Sequence, residues 1–594
     1  MSRRAALLRP EFQHPGGVLR LQGRHHCGAC GFDFEDDDRC VPIIWDKSFS
    51  HFEAFEAFDF ANGDISDSLS VEYSSRIDIC VLKPGVRRDS VTIHADCFKL
   101  FMKLSQEENK LAALCLLAQW TQPWVSVSSL HLDPVTDVPR GIAMASERYG
   151  IPGLASLPLE VAELIRDYSP TNILWRFASL LTRMDRLHHH GFGCIDSVPV
   201  CKISSWERGV RPTLLPKPLR RGVYRLTLDS QGLKMIERLP KRPCYQSGAS
   251  VGLAYVVEYK SCFKKMTVSF KKFGLARLNF ESESTRLKVW DRPCPPNPAD
   301  CYSFHKPWLA SYYRMIVTET HKSSGILLFF YGGYLASMHT YKGGEQGYGL
   351  DPDLAEKWKG AMWLYLPLPP GDRIEAVGAQ KILGHPEGFS YVFRTRLAGD
   401  VAFGRPCAEP ELGSVVLGVS PNPTLISYAE KWGCNLLAAR DFSVRRRPNI
   451  WFRPHKAITE VSSRSIHVLF SAAPLQDVTR MQIFEDKDGG FCRGILFDYA
   501  DGAQRTVGQC KFGVDTINLV TNPSHFCIRS FDSLSQGYYR RGAERTKVVA
   551  SSSSSHSHGA RSIDWKCFTF SGVMEFLFTN DESSIKIVLQ ANHQ

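Results

Sequence analysis

Two pairs of metal-binding residue types lie far apart in the sequence. Cys27 and Cys30 form a C-x2-C pair, and a glycine follows each cysteine. His94 and Cys97 form a second pair with H-x2-C spacing. Thiolate sulfur and imidazole nitrogen are the ligands that Zn²⁺ takes in closed, four-coordinate structural sites. The sequence therefore predicts a structural zinc site at Cys27, Cys30, His94 and Cys97.

The elements around these pairs suit such a site. Glycine lets the backbone turn tightly around a metal, which gives the first pair the character of a zinc knuckle. The second pair opens an amphipathic segment, so the first turn of a helix would supply its two ligands. Strand-like segments at 70–73 and 77–82 lie between the pairs. This order is similar to a treble-clef zinc finger that carries a long insertion.

Other interpretations of these residues stay open. Cys27 and Cys30 could be incidental thiols, with His94 on the surface. A redox C-x-x-C motif is less favoured, because no βαβ pattern surrounds the pair. Four neighbouring residues could replace one of the predicted ligands, namely His25, His26, Cys40 and Cys80.

The stretch 156–187 predicts two short amphipathic helices joined at a Ser-Pro corner. Pro158 suits the first turn of a helix, where its missing N–H is not needed. The first helix should end at Ser169, because a residue before proline is pushed out of the α region. Ser169 is then the predicted N-cap of the second helix, with Pro170 at its first position.

This helical pair opens on Leu157-Pro158-Leu159-Glu160 and resembles the start of an F-box, the helical module that docks proteins onto cullin-type ubiquitin ligases. The later helices of an F-box are not recognisable after Leu187. An ordinary helical hairpin inside a larger core is the alternative. The resemblance implies that the pair binds a Skp-type adaptor through Leu157, Pro158, Leu159, Glu160, Val161, Ile165, Leu174, Trp175 and Phe177.

Composition restricts the class of protein. A length of 594 residues with 43% hydrophobic content predicts several folded domains. No apolar run approaches the roughly 20 residues that span a bilayer. Eighteen cysteines without a recognisable secretory signal favour reduced thiols in the cytoplasm or nucleus. The net charge of +11 is spread along the chain, which favours a solvated surface over nucleic-acid binding.

The predicted layout is an α+β multidomain chain. A disordered lead (1–24) precedes a Cys/His zinc-finger-like domain (25–120), in which a capping box of Ser105 and Glu108 begins a helix that runs to about Trp120. A linker (121–150) and the F-box-like hairpin (151–192) follow. Alternating patterns then predict two antiparallel β-rich domains, 220–405 and 425–594, with a mobile loop at 551–559. Proline-rich breaks at 292–298, 405–410 and 420–423 predict domain or sub-domain edges.

A weak internal repeat marks the β-rich part. The segments 325–333 and 494–502 each predict a strand that enters a glycine turn and a second strand. The segments 389–396 and 574–580 each place an aromatic strand before a threonine turn. This order is similar to jacalin-type lectin units, which build β-prisms, and it implies a ligand-binding alternative. A β-sandwich would show the same alternation.

No catalytic motif accompanies these elements. The sequence lacks a P-loop, G-x-S-x-G, H-E-x-x-H and a Rossmann fingerprint, and the acidic run 35–38 is predicted as solvated surface. We therefore expect no enzyme, although a hydrolase-like activity in the β-rich part is an alternative. The layout resembles a group of uncharacterised fungal F-box-like proteins. It implies a substrate adaptor whose β-rich region captures an unknown protein or glycan target; the alternative is a lectin-like or other ligand-binding β protein.

Overall fold

The protein is described here by a computed structural model. The chain divides into two units, Met1–Pro295 with Leu309–Tyr313, and Pro296–Trp308 with Arg314–Gln594. The boundary at Pro295 falls in the predicted break 292–298, inside the segment 220–405 that the alternating pattern predicts as one domain. The structure describes residues 26–35, 38–46, 52–54, 57–60, 88–120, 123–124, 132, 134, 137–169, 172–189, 195–216, 222–250, 252–271, 275–280, 287–297, 312–341, 360–381, 389–405, 415–419, 423–430, 433–440, 452, 468–487, 489–532, 544–553, 558 and 564–589.

The first unit begins with a small antiparallel sheet. Its central strand β1 pairs with the three others, and the register with the last strand runs from Cys40 opposite His94 to Asp46 opposite Arg88. This pairing brings the two ends of the predicted insertion together. The predicted strands at 70–73 and 77–82 lie outside the described residues. The strands are β1 (Arg39–Asp46), β2 (Phe52–Ala54), β3 (Phe58–Asp59) and β4 (Arg88–His94).

Five helices follow this sheet in the described part of the first unit. They are α1 (Ala95–Leu104), α2 (Lys110–Trp120), α3 (Val138–Tyr149), α4 (Leu159–Tyr168) and α5 (Ile173–His189), with a 3₁₀ helix at Pro152–Ser156. The predicted capping box at Ser105 is wrong. The side chain of Asn109 accepts a hydrogen bond from the N–H of Ala112 at 3.0 Å, so α2 begins one turn later.

Helix α3 lies within the segment 121–150 that was predicted as a linker. The side chain of Asp137 caps it by accepting a hydrogen bond from the N–H of Arg140 at 3.1 Å. Gly150 ends it in the left-handed conformation, at φ 62°. An aspartate N-cap and a glycine after the last turn are ordinary helix start and stop signals. The many Pro, Ser and Asp residues around them favoured the prediction of a linker.

The corner between α4 and α5 has a different cap from the predicted one. Helix α4 ends before Ser169 as expected. The side chain of Asn172, however, caps α5 by accepting a hydrogen bond from the N–H of Leu174 at 2.9 Å. Ser169 instead accepts a hydrogen bond from the indole N–H of Trp175 at 2.8 Å through its carbonyl oxygen. Trp175 therefore fastens the start of α5 to the end of α4.

The rest of the first unit is antiparallel β structure around its own apolar core. One set of strands has the order β13-β10-β8-β9-β6-β7, and a separate sheet has the order β12-β11-β5. Trp206 lies on β6 and is buried in this core. Short 3₁₀ helices occur at Val200–Lys202 and Lys260–Phe263. The strands are β5 (Ile195–Pro199), β6 (Ile203–Glu207), β7 (Thr213–Leu214), β8 (Val223–Asp229), β9 (Gly232–Leu239), β10 (Leu253–Tyr259), β11 (Met266–Lys271), β12 (Leu275–Phe280) and β13 (Leu287–Trp290).

The described part of the second unit is built from antiparallel strands and a 3₁₀ helix at Thr320–Lys322. Together with the first unit it makes the described part of the chain β-rich, with about half of the described residues in strands. The strands are β14 (Tyr312–Glu319), β15 (Gly325–Tyr331), β16 (Tyr334–Tyr341), β17 (Met362–Pro367), β18 (Ile374–Lys381), β19 (Phe389–Thr395), β20 (Gly399–Phe403), β21 (Val415–Val419), β22 (Thr424–Glu430), β23 (Gly433–Arg440), β24 (Leu469–Pro474), β25 (Val478–Glu485), β26 (Cys492–Tyr499), β27 (Gln504–Gly508), β28 (Thr516–Thr521), β29 (His525–Asp532), β30 (Glu544–Ser551), β31 (Lys566–Thr569), β32 (Val573–Phe578) and β33 (Ser583–Val588).

Two sheets of the second unit share a Greek-key order. They run β20-β19-β18-β21 and β27-β26-β25-β28, with the fourth strand returning beside the first. The predicted repeat is a pair of hairpins, β15–β16 and β26–β27. In both sheets the second strand of the hairpin lies at the edge and the first strand lies next to it, because the orders are β16-β15-β17 and β27-β26-β25-β28. The two hairpins therefore hold similar positions, in sheets of three and four strands.

No helix in the described ranges is both long and apolar enough to cross a bilayer. The longest of them, α5, has 17 residues and carries several charged side chains.

Candidate metal centre

The two predicted ligand pairs come together at the edge of the small sheet. Cys27 and Cys30 lie in a tight turn, which the N–H of Gly31 closes on the carbonyl of Cys27 at 2.8 Å. His94 ends β4 and Cys97 lies in the first turn of α1. The ligand atoms of the four residues all lie within 4.8 Å of one another, and all four residues are buried. The cluster could hold a metal ion.

The distances inside the cluster suit a tetrahedral ion. The Nδ1 atom of His94 lies 3.4 Å from the Sγ of Cys30 and 3.9 Å from the Sγ of Cys97. With metal–sulfur and metal–nitrogen bonds of zinc length, the sulfur–nitrogen edge of a tetrahedron is about 3.6 Å. The N–H of His94 also donates to the Sγ of Cys27 at 3.3 Å, which stabilises negative charge on that sulfur.

Asp38 orients the histidine from outside the cluster. Its Oδ2 lies 3.2 Å from the Nε2 of His94, and its Oδ1 accepts a hydrogen bond from Arg176 at 2.7 Å. A carboxylate at Nε2 holds the ring proton there and leaves the Nδ1 lone pair to face the sulfurs. Burial raises the pKa of Asp38, but the hydrogen bonds from Arg176 and from the N–H of Glu35 outweigh it, and the pKa is lowered.

The prediction that the acidic run 35–38 is solvated surface is therefore wrong at Asp38. Its side chain is only 17% exposed, whereas that of Glu35 is 47% exposed. Three partners on the protein, His94, Arg176 and the N–H of Glu35, take the place of water at Asp38.

Helix α5 covers the turn that carries the first ligand pair. The Oγ of Ser179 donates to the carbonyl of Cys30 at 2.7 Å, and Arg183 donates to the carbonyl of Ala29 at 2.8 Å. A Cβ on Gly31, which has φ 87°, would lie 2.5 Å from Nη2 of Arg183. The glycine is needed both for the positive φ and for this close approach.

The protonation of the metal-free cluster follows from its burial. Burial raises the pKa of Cys27, but hydrogen bonds from Cys30 and Cys97 and the charge of His94 outweigh it and hold that pKa well below its ordinary value. Burial alone would lower the pKa of His94, yet the Cys27 thiolate raises it to about 10. Burial raises the pKa of Cys30.

The surrounding charges fit a divalent ion. Three thiolates and a divalent ion carry a net charge of −1, and Asp38 adds another negative charge. Arg176 and Arg183, with 8% and 2% of their surface exposed, supply two positive charges. The buried charges of the assembly then cancel, which is favourable because isolated charges in the interior are costly. The half-exposed Glu35 lies 3.6 Å from Arg176 at the edge of the assembly. The residues present therefore fit a thiolate-bound divalent metal.

The four residues that could have replaced a predicted ligand either do not belong to the cluster or lie outside the described residues. His26 is buried but takes part in a β-bridge with Asp33. Cys40 is buried, and its Sγ donates to the carbonyl of Asp38 at 3.7 Å. Neither residue belongs to the cluster of four. His25 and Cys80 lie outside the described residues.

The predicted partner-binding residues divide between surface and core. Pro158, Leu159, Glu160, Val161 and Ile165 are exposed, and Leu157 is half-buried. Leu174 and Phe177 are half-buried against apolar clusters of the first unit.

Trp175 is 1% exposed, so it contacts the chain itself and no partner can reach it in this structure. Its ring lies against Gly141 of α3, where a Cβ would approach it to 2.6 Å. Its role is to join α3, α4 and α5.

The residues that support the cluster from α5 were missed. Arg176, Ser179 and Arg183 recur at i, i+3 and i+7, so they share one face of the helix. Polar residues at this spacing inside an otherwise apolar helix are a signal that a polar site faces them. Asp38 gave no signal, because its partner Arg176 lies 138 positions away.

Comparison with known proteins adds no identification. No protein-family model matches the sequence, and no curated protein matches it significantly.

Proposed function

We propose that the chain is a non-catalytic F-box-type substrate adaptor. It docks a Skp-type adaptor of a cullin ubiquitin ligase through α4 and captures a protein or glycan target with its β-rich region. The observation that carries the proposal is the apolar surface of α4. The resemblance of 157–160 to the opening of an F-box supports the choice of partner.

The exposed surface is a continuous helical stripe. Val161, Leu164, Ile165 and Tyr168 follow the i, i+3, i+4, i+7 pattern and are 39%, 54%, 36% and 88% exposed. In a globular protein such a stripe normally faces the core. An exposed apolar stripe on an ordered helix is typical of an interaction site. We call these four residues the α4 stripe.

The other side of α4 is fixed to the protein. Ala162 is 3% exposed and packs in a cluster with Val138 and Ile142 of α3 and Trp175 of α5. A surface that is already ordered loses less conformational freedom on binding. This arrangement supports a docking role for α4, because one face holds the helix and the α4 stripe remains for a partner.

The test is binding of purified Skp-type adaptor to the full chain with Val161 and Ile165 both changed to alanine. Burying a side chain of this kind contributes roughly 1.5–3 kcal/mol, so the double variant should bind at least tenfold more weakly. Titration calorimetry measures the Kd. The melting temperature should change little, because both residues are partly exposed and alanine has the higher helix propensity.

Val210→Ala is the matched control, since Val210 is 57% exposed and lies far along the chain on no helix. It should leave the affinity unchanged. If the unaltered chain does not bind the adaptor, or if the double variant binds as well as the control, α4 is not the docking element.

The ion of the metal centre is zinc in this proposal, and its role is structural. Four protein ligands would fill its coordination shell and leave no position for a substrate. Zinc at this position would tie the turn at 27–30 to the start of α1.

Elemental analysis of the full chain should show that Cys97→Ser loses one equivalent of zinc and lowers the melting temperature, because metal binding contributes to folding. Cys115→Ser is the control, since Cys115 is equally buried but lies outside the cluster. It should destabilise the chain and keep its zinc. Equal zinc in the two variants would contradict the assignment.

A further inference from the structure

The second unit contains another cluster of metal-binding residue types. The ligand atoms of Cys527, His558 and Cys567 all lie within 4.8 Å of one another. The two sulfurs are 3.2 Å apart, and the Nε2 of His558 is 3.2 Å from the Sγ of Cys567. No short spacing connects these three residues in the sequence, so no motif marks them.

The sheet and one aromatic ring fix the three side chains. Cys527 on β29 lies directly opposite Cys567 on β31 in the antiparallel register. The ring of His558 stacks on that of Trp565, with 5.0 Å between centroids and 7° between planes. The stacking holds the imidazole beside Cys567. His558 lies within the predicted mobile loop 551–559, of which residues 554–557 and 559 are outside the description.

We propose that Cys527, His558 and Cys567 form a second metal site, for a zinc-class ion with three protein ligands. Two thiolates and one imidazole select a thiophilic d¹⁰ ion. Two thiolates also neutralise a divalent charge, so the site needs no further counter-ion.

The distances need only a small opening to admit the ion. Tetrahedral zinc places two sulfurs about 3.8 Å apart, and sulfur and nitrogen about 3.6 Å apart. The observed separations are therefore short by about half an ångström. The main competing state is a Cys527–Cys567 disulfide, with sulfurs bonded at about 2.05 Å. Such a bond joins only the two sulfurs and does not account for the 3.2 Å contact between His558 and Cys567.

The second site is more accessible to solvent than the first. Cys527 is 1% exposed, but Cys567 is exposed and His558 is half-buried. With three protein ligands, the fourth position is left for water or for a group from solvent. An ion at this site should therefore exchange readily, in contrast to one held by four buried ligands.

The experiment counts zinc on the full chain after reduction, removal of metal with a chelator and reloading with Zn²⁺ alone. The Cys567→Ser variant should hold one equivalent less than the unaltered chain, and it should fold, because Cys567 is exposed. Cys244→Ser, at another exposed cysteine, should hold as much as the unaltered chain. His558→Ala should weaken binding at this site at least about tenfold, since even outer partners of a ligand contribute that much.

Two further measurements distinguish this site from the first metal centre and report on its thiolate ligands. In a Cys27→Ser background, adding the Cys567→Ser change should again remove one equivalent of zinc, so failure of the first centre would not mimic failure of this one. Co²⁺ in place of Zn²⁺ should give thiolate-to-cobalt charge-transfer absorption that Cys567→Ser diminishes.

Equal zinc in the unaltered chain and in Cys567→Ser would overturn the proposal. Alkylation followed by mass spectrometry would also overturn it if Cys527 and Cys567 were found as a disulfide that forms equally well in His558→Ala and excludes Zn²⁺.

Discussion

The Asp38→Asn variant tests the candidate metal centre. Asp38 is the side chain that connects His94 of this centre to α5. Asparagine has nearly the same shape as aspartate but offers one acceptor and one donor group in place of two acceptors. Asp38 uses both of its oxygens, one toward His94 at 3.2 Å and one toward Arg176 at 2.7 Å. In either orientation of the amide, one of these two contacts is lost.

Each orientation weakens the site for its own reason. If the amide nitrogen faces His94, it favours a proton on Nδ1, the atom that must bind the ion. If it faces Arg176, the buried guanidinium loses its hydrogen-bond acceptor at 2.7 Å and keeps only Glu35, at 3.6 Å, as a negative partner. Loss of such an outer partner lowers metal affinity by about 10–100-fold, which corresponds to about 1.4–2.7 kcal/mol.

Competition for Zn²⁺ between the full chain and a chromophoric chelator measures this change. Asp59→Asn is the matched control, because Asp59 belongs to the same sheet and faces Arg39 at 3.8 Å with 68% of its side chain exposed. The control should bind as tightly as the unaltered chain. If Asp38→Asn binds equally tightly, the orienting role that we assign to Asp38 is refuted.

Two further predictions concern stability. Gly31→Ala should destabilise the chain in chemical unfolding by about 1–3 kcal/mol, because it combines a strained φ with displacement of Arg183. Gly150→Ala, with φ 62° and no atom within 4 Å of the new Cβ, isolates the backbone cost and should be milder; equal losses would contradict the contact with Arg183. Burial raises the pKa of Asp515 to about 6. The folded chain therefore loses stability as the pH rises from the ordinary aspartate value of about 4 through 6. Asp515→Asn should raise the melting temperature at pH 7 to 8 but not near pH 4, and a gain of the same size at both would refute this.

The four ligands were within reach of sequence reasoning, because each pair has a short spacing that its own local element fixes. A C-x2-C turn with glycines and an H-x2-C at the start of a helix each fix the relative positions of their two residues. The pairing of β1 with β4 then brings the two halves together. Asp38 and Arg176 were out of reach, since their contact depends on where α5 packs on the sheet.

The β-rich character of the chain beyond residue 220 followed from alternation, because side chains in a strand alternate between two faces. The segment 325–333, predicted as a strand that enters a glycine turn, contains β15 at Gly325–Tyr331 followed by two glycines with positive φ. The alternation did not predict where the boundary between the two units lies. Alternation describes each strand alone and does not say which strands share a core.

Helix α5 gives the metal centre and the α4 stripe a common support. On one side of α5, Arg176, Ser179 and Arg183 bond to Asp38 and to the turn at 27–30. On another side, Trp175 packs with Ala162 of α4. A helix as short as α4, with ten residues, is marginal in water without tertiary contacts. The exposed stripe thus depends on α5, and α5 in turn is fixed by polar bonds around the metal-binding cluster. The metal-binding cluster and α4 are therefore not two modules in series. They are parts of one packed structure, in which α5 contacts the cluster through polar and apolar side chains and contacts α4 through Trp175.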